Sequence, residues 1–310
     1  MNYKVSVIVP VHNSSEYLEE CIASIQRQEL REIEIILVEN ASKDNSLELC
    51  RKIALSDERI KVIHLDKGDP STARNEGVKI ASAEYVGFVD SDDTIKPDMY
   101  KCLYDTAQEN NLDLVTCNYV RKYKSGREKY RYCEKGETVV LTPKEMTKLN
   151  FMNVVPQSAC IMLVRKSLAE KNPFPENHHF EDRAHTFLFA ASSEACAHIY
   201  KSYYNYMQYR GGRCLATTFE RNHDFADADS RRLKFIMESG MFTDEEKPVV
   251  AAKSAESLIR KINRVRRRVS TREEKEKYEN LKEHIRYIPY KTRLSVKART
   301  IRFLIKRGII

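Results

Sequence analysis

No stretch of this 310-residue chain approaches the ~20 consecutive apolar residues of a membrane-spanning helix. No pair of its eight cysteines has Cys-x-x-Cys spacing, which argues against a zinc site. The cysteines are scattered, and several, such as Cys21 and Cys117, fall at apolar periodic positions. They read as reduced core thiols of a cytosolic protein. Met1-Asn2-Tyr3-Lys4 runs directly into a strand-like segment, so no signal peptide is expected. No internal repeat is present. Residues 286–310 contain no acidic side chain at all.

That last absence reflects an uneven charge. The chain carries a net +8, but residues 1–125 hold 16 Lys and Arg against 22 Asp and Glu. Residues 251–310 hold 19 against 6. The basic character therefore belongs to the last 60 residues, and such a tail suits an anionic partner. Hydrophobic residues make up 42%, enough for a sizeable core.

What is present first is alternation. Val5–Val9, Ile33–Val38, Ile60–Leu65, Tyr85–Val89 and Leu112–Cys117 read as strands. Between them lie helical patterns: one through Leu18, Cys21, Ile22 and Ile25, capped by Ser14 or Ser15; one from Asp44 or Ser46; one over Thr72–Ala81; one from Pro97 to about Glu109. The near-continuous apolar strands predict a doubly wound α/β sheet, mostly parallel and covered by helices on both faces. Residues 121–137 read as an exposed hairpin or loop, Ser158–Val164 as a strand, Glu181–Ala191 as a helix, and Ile199–Tyr209 as an aromatic strand. From about 223 onward the pattern is helical.

Asp90-Ser91-Asp92-Asp93 places three carboxylates in four positions straight after the Tyr85–Val89 strand. Such a cluster repels itself unless a cation or a set of donors neutralises it. A divalent cation shared between one or two carboxylates and phosphate oxygens is the usual solution, which points to a nucleoside diphosphate. The competing reading is a solvated acidic turn with Asp93 capping the next helix. Ligands of such sheets bind at the carboxyl ends of the strands. His12-Asn13, Glu39-Asn40 and Asp90–Asp93 follow strands one, two and four, so they are expected to gather at one crevice.

Taken in order, the motifs resemble family-2 glycosyltransferases with the GT-A fold, the inverting bacterial enzymes that build surface polysaccharides such as capsule and lipopolysaccharide. Val5-Ser6-Val7-Ile8-Val9-Pro10-Val11-His12-Asn13 resembles the family's first strand and nucleotide loop. Ile36–Ser46 occupies the place of its Val-Asp-Asp-Gly-Ser segment, and Ser71–Gly77 is similar to its Ala-Arg-Asn signature. Asp90–Asp93 stands as the Asp-x-Asp element, and Phe174-Pro175-Glu176 with Glu181-Asp182 resembles the segment that carries the base.

The resemblance implies a GT-A domain over residues 1–220, split into a nucleotide-binding half (1–120) and an acceptor-binding half (121–220), with a helical basic region at 221–310. It implies Mg²⁺ or Mn²⁺ held by Asp92, with Asp90 on the ribose or a metal-bound water, and Asp93 as a cap or a group behind the ligand. Pro10, Val11, His12, Asn13, Glu39, Arg74, Asp90 and Ser91 are the implied nucleotide contacts. Glu39 replaces the Asp that usually accepts from the nucleobase imide, and Asn40 stands where a second acid is common. Asp182 is the implied general base, with Glu181 in support; the alternative is an acidic helix start. Arg74 reaches the nucleotide or pairs on the surface with Glu76 or another acid. His185 is a metal or acceptor contact or neither. Arg210 clamps the diphosphate or is a surface arginine. Tyr203, Tyr204, Tyr206 and Tyr209 stack on sugars or simply pack.

In residues 286–310, Leu294, Ala298, Ile301 and Ile305 follow helical spacing beside Arg299, Arg302 and Lys306, with Val296 and Phe303 interrupting the polar face. Two readings follow: a helix lying on the anionic inner face of the plasma membrane, or a solvated basic helix packed through its stripe. The expected partners are a nucleotide-sugar donor, most simply a UDP-sugar, and a saccharide acceptor, lipid-linked. The rivals are a non-catalytic GT-A scaffold and a nucleic-acid-binding protein using the tail. No nucleic acid is expected, since no reading motif is present and the aromatics are not interleaved with the basic run. A sugar nucleotidyltransferase lacks support, because no Gly-rich loop follows the first strand.

Overall fold

The computed structural model describes residues 2–208 and 218–307. The first half alternates strictly: β1 (Val5–Val11), α1 (Leu18–Gln26), β2 (Ile33–Asn40), α2 (Ser46–Ala54), β3 (Ile60–Leu65), α3 (Pro70–Ile80), β4 (Tyr85–Phe88), β5 (Thr94–Ile95), α4 (Met99–Glu109) and β6 (Leu114–Lys122). There follow β7 (Glu128–Tyr130), β8 (Thr138–Leu141), α5 (Pro143–Phe151), β9 (Met162–Arg165), α6 (Lys166–Lys171), α7 (Glu181–His185), α8 (Phe187–Ser192) and β10 (Cys196–Met207). The remainder is helical: α9 (Phe219–Glu238), α10 (Lys247–Arg266), α11 (Arg272–Glu283) and α12 (Val296–Lys306).

The chain forms two compact units. The first comprises residues 1–146, 155–177 and 188–212, and the second residues 147–154, 178–187 and 213–310. Two short upstream segments, 147–154 and 178–187, join the C-terminal helices in the second unit.

One ten-stranded sheet fills the first unit, in the order β3-β2-β1-β4-β9-β6-β10-β5, with β7 added to β6 and β8 to β10. β3, β2, β1 and β4 are parallel, as expected for runs buried on both faces. Beyond β4 the sheet is mixed, because β9 inserts antiparallel between β4 and β6. Val5, Val7, Ile8, Val9, Ile33, Ile35, Ile36 and Leu37 are fully buried and make the floor of the core. α3 lies close on this floor: a Cβ at Gly77 would stand 2.4 Å from the Ile8 side chain, so glycine is required there.

Two helix expectations change. α1 has Tyr17 as its cap, with no side-chain cap bond, and Ser14 and Ser15 are used elsewhere. The helix expected over Glu181–Ala191 is two short ones, broken at Thr186, whose hydroxyl turns back onto the Asp182 carbonyl at 2.7 Å.

In the second unit α9 packs against α7, α10 and α11. Its core is aromatic: Phe151 meets Phe187, Phe235 and Phe242 at centroid distances of 5.0, 6.0 and 6.2 Å. Arg232 is fully buried there, bonded to Asn150 and Ser254 and lying over the Phe151 ring. α12 lays Ala298, Ile301 and Ile305 inward and packs on α10. Val296 and Phe303, seven residues apart and so on one face, point outward at 70% and 55% exposure. Among the described residues no helix is long and apolar enough to cross a membrane.

Candidate active site

Parallel register decides which residues meet. Val11 lies opposite Glu39, and Ile8 lies opposite Phe88, so the segments leaving β1, β2 and β4 emerge at one edge. The hydrogen bonds made there tie them together. His12 donates from Nδ1 to the Asn40 carbonyl at 2.6 Å, which fixes the tautomer and leaves Nε2 to accept from Asn13 at 2.9 Å. Asn13 takes a left-handed conformation (φ 51°), as asparagine tolerates, and accepts from the Lys43 amide at 2.7 Å. Ser14 meets Ser91 hydroxyl to hydroxyl at 2.7 Å, joining the first loop to the acidic one. Asp44 accepts from Ser15 and Ser46; those bonds outweigh burial and draw its pKa down to about 2.

Glu39 is wholly buried. Its Oε1 accepts from the Ser42 amide at 2.7 Å and its Oε2 pairs with His64 Nδ1. Burial opposes ionisation, but these donors prevail and the carboxyl sits below its ordinary range. Asn40 accepts from the Asp69 amide at 3.2 Å, and Asp69 in turn caps α3 through Thr72.

The acidic loop is asymmetric. Asp90 is 39% exposed and Asp92 half-buried, whereas Asp93 is 1% exposed. Asp93 accepts from the Tyr204 hydroxyl and the Met207 amide, both at 2.7 Å. Burial, then the neighbouring Asp92 and Asp90, pushes its pKa well up. Asp93 is therefore no helix cap: α4 begins at Met99 with Asp98 in the cap position, and Asp93 instead fastens the loop to β10. The Tyr204 hydroxyl also accepts from the Asp90 amide at 3.2 Å, so one phenol braces both ends of the loop. Tyr203 and Tyr204 are packing residues, buried to within 4%.

Arg74 is paired with an acid, as one of its two readings had it, but it is buried rather than on the surface. It is 3% exposed, bonds Asp90 Oδ1 at 3.0 Å and lies 5.5 Å from the Phe174 ring centroid. Glu76 pairs with Lys79 instead. Asn75, given no role by sequence, exchanges two bonds with the Phe174 backbone, at 3.0 and 2.8 Å. Phe174 in turn meets Phe88 edge-on at 5.4 Å. The signal for Asn75 was its place beside Arg74 in the signature.

Among the described residues no three His, Cys, Asp or Glu side chains form a ready ion cage. Asp90 and Asp92, both partly exposed, are a donor set of the kind magnesium takes when phosphate and water complete its shell. Asp93, turned inward, is not available to it.

Glu181, Asp182 and His185 belong to the second unit, on α7. His185 is buried and Asp182 half-buried. Phe180, before the helix, adopts φ 61° and stacks edge-on with Phe225 at 4.8 Å. α9 acids hold this segment: Asp227 meets His178 at 3.1 Å, Asp224 meets His179 at 2.7 Å, and Asp229 meets Arg183 Nε at 2.8 Å. Asp224 is drawn down to about 2, burial being overcome by His223 and His179. Arg210 and Tyr209 lie outside the described residues.

Residues 6–172 match the family model for glycosyl transferase family 2. The glycosyltransferase GlyG of Streptococcus pneumoniae serotype 4 is 31% identical over 78% of this chain and 83% of its own. EpsJ of Bacillus subtilis strain 168, an uncharacterized glycosyltransferase, is 44% identical over 46% of this chain, which spans 42% of EpsJ. The fold of S. aureus TarS 1–349, solved in complex with UDP-GlcNAc, superposes with a TM-score of 0.76 over 98% of this chain and 92% of that one, at 22% identity.

Proposed function

The chain belongs to glycosyl transferase family 2, and from that premise we propose that it transfers a hexosyl or N-acetylhexosaminyl group from a UDP-sugar, with inversion and with a divalent metal, to a hydroxyl of a lipid-linked saccharide. The observation that carries this reading is the joining of His12-Asn13, Glu39-Asn40, Arg74 and Asp90–Asp93 at one edge of the parallel sheet. Support for the donor comes from TarS, solved with UDP-GlcNAc, and for a polymer acceptor from a poly(ribitol-phosphate) beta-glucosyltransferase that is 36% identical over 36% of this chain.

In this reading Pro10, Val11, His12 and Asn13 line the nucleoside, and Glu39 offers the base imide the lone pairs left by Ser42 and His64. Arg74 holds Asp90 against the ribose, and Ser91 braces the turn. Asp90 and Asp92 would hold Mg²⁺ or Mn²⁺, which when bound neutralises charge on the departing diphosphate. Asp182, flanked by Glu181, takes the proton from the acceptor hydroxyl as its oxygen bonds the anomeric carbon and the phosphate oxygen leaves. His185 and Arg210 contact the acceptor or the diphosphate. The outward face of α12 rests on the anionic cytoplasmic leaflet.

The test is a thermal-shift panel of UDP, UDP-sugars and other nucleotide sugars with and without Mn²⁺, on wild type and Asp92→Asn. UDP is expected to raise the wild-type midpoint only with metal, and the variant to lose that response while melting normally. A metal-independent response equal in both proteins defeats the proposal.

A further inference from the structure

Among the described residues, the face of the sheet beside the acidic loop carries a cation that pairs with no acid. Arg121 and Tyr119 alternate along β6 on one face, and Tyr206 and Tyr204 do so along β10. Register places Arg121 opposite Tyr206 and Tyr119 opposite Tyr204, the tyrosine whose hydroxyl braces the acidic loop. The Arg121 guanidinium lies 5.9 Å from the centroids of both Tyr119 and Tyr206, and Tyr132 closes on Tyr119 at 5.6 Å. Among the described residues Arg121 forms no ion pair, its buried Nε has no hydrogen-bond partner, and its one bond is a long 3.5 Å contact to the Tyr119 hydroxyl. Its neighbour Lys122, by contrast, pairs with Glu128. A half-buried guanidinium left without a counter-charge is costly unless an anion arrives. Its planar fork matches a phosphate or carboxylate, and the surrounding rings offer flat apolar walls to a sugar.

Position gives the source. β10 separates β6 from β5, and the Met207 amide binds Asp93, so the Arg121 backbone lies two strand spacings, about 10 Å, from the acidic loop. A sugar on a diphosphate at that loop would extend across such a gap.

We propose that Arg121, framed by Tyr119, Tyr132 and Tyr206, binds an oxyanion, phosphate or carboxylate, borne by one of the two saccharide substrates. The proposal rests on the glycosyl-transfer reading above.

The test compares wild type, R121Q and R121K by calorimetry, with melting midpoints as the check on folding. If the donor bears the anion, wild type binds UDP-glucuronate about tenfold more tightly than UDP-glucose, and R121Q erases the preference. If the acceptor bears it, then with UDP saturating, wild type binds glucose 6-phosphate about tenfold more tightly than glucose, and R121Q erases that instead. R121K restores part of either preference, an ammonium being a point charge without the fork. Wild type with no preference in either pair, or a preference that survives in R121Q, overturns the assignment. Failure of wild type to bind UDP itself would sink the transfer reading separately.

Discussion

His198 offers a quantitative trial of the fold that supports the acidic loop. It is fully buried on β10, six and nine residues before the Tyr204 and Met207 that hold that loop. Its Nε2–H donates to Asn118 Oδ1 at 3.1 Å, since the Asn118 amide nitrogen is already committed to the Cys133 carbonyl and Glu134. Its Nδ1 accepts from Thr116 at 2.7 Å. The ring is thus satisfied as a neutral group, and burial lowers its pKa from 6.5 to about 4. The unfolded chain takes up the proton first, so stability is complete above the ordinary pKa and falls as acid takes the pH from 6.5 toward 4. The full loss is about 3 kcal/mol, and at pH 5 it is about 2 kcal/mol. His198→Gln keeps one donor and one acceptor but cannot titrate. Urea unfolding followed by circular dichroism, run on both proteins from pH 7.5 to 5, should show the wild-type advantage shrinking by about 2 kcal/mol. Contributions from every other titrating group cancel in the difference. A gap that stays constant to within about 0.5 kcal/mol would show that the ring is not held neutral in the fold.

Three further expectations concern the site and the C-terminal helix. Arg74→Met should weaken UDP binding about tenfold by freeing Asp90, yet lower stability by only about 1–2 kcal/mol, because Asp90 is exposed enough to be rehydrated; calorimetry that finds unchanged affinity removes Arg74 from the site. Asp182→Asn should cut kcat about a hundredfold or more while leaving donor KM near normal, and full turnover refutes the base assignment. Replacing Val296 and Phe303 together with serine should lower binding to vesicles containing phosphatidylglycerol about tenfold and leave binding to neutral vesicles negligible; equal flotation of variant and wild type excludes this face as the membrane contact.

Much of the fold of residues 1–120 was legible because its information is local. β3 spans the expected Ile60–Leu65, and β1 and β2 differ from expectation only in running two residues further. Apolar runs bounded by polar turns suffice for that. The meeting of the segments that leave β1, β2 and β4 followed because parallel strands must end on the same side. What was not legible is non-local. β9 is a four-residue strand whose place between β4 and β6 depends on partners tens of residues away. The periodicity of Ala184, Phe187 and Leu188 runs through Thr186 without marking the break between α7 and α8. Asp93 looked like a cap, since nothing near it announces Tyr204 and Met207, more than a hundred residues on. Arg74 was undecided for the same reason: its burial comes from Phe174.

The path of the chain constrains how this protein can be taken apart. Residues 147–154 and 178–187 are cut off in sequence from the helices they belong to, so the polypeptide changes unit at five points. Stopping translation near residue 212 would strip Phe151 and Phe187 of Phe235 and Phe242, and Asn150 of Arg232. Such a fragment would present bare rings to water and is expected to be recovered as aggregate. The helical portion is accordingly not a detachable cassette, and any graft of it onto another enzyme has to carry both upstream segments with it.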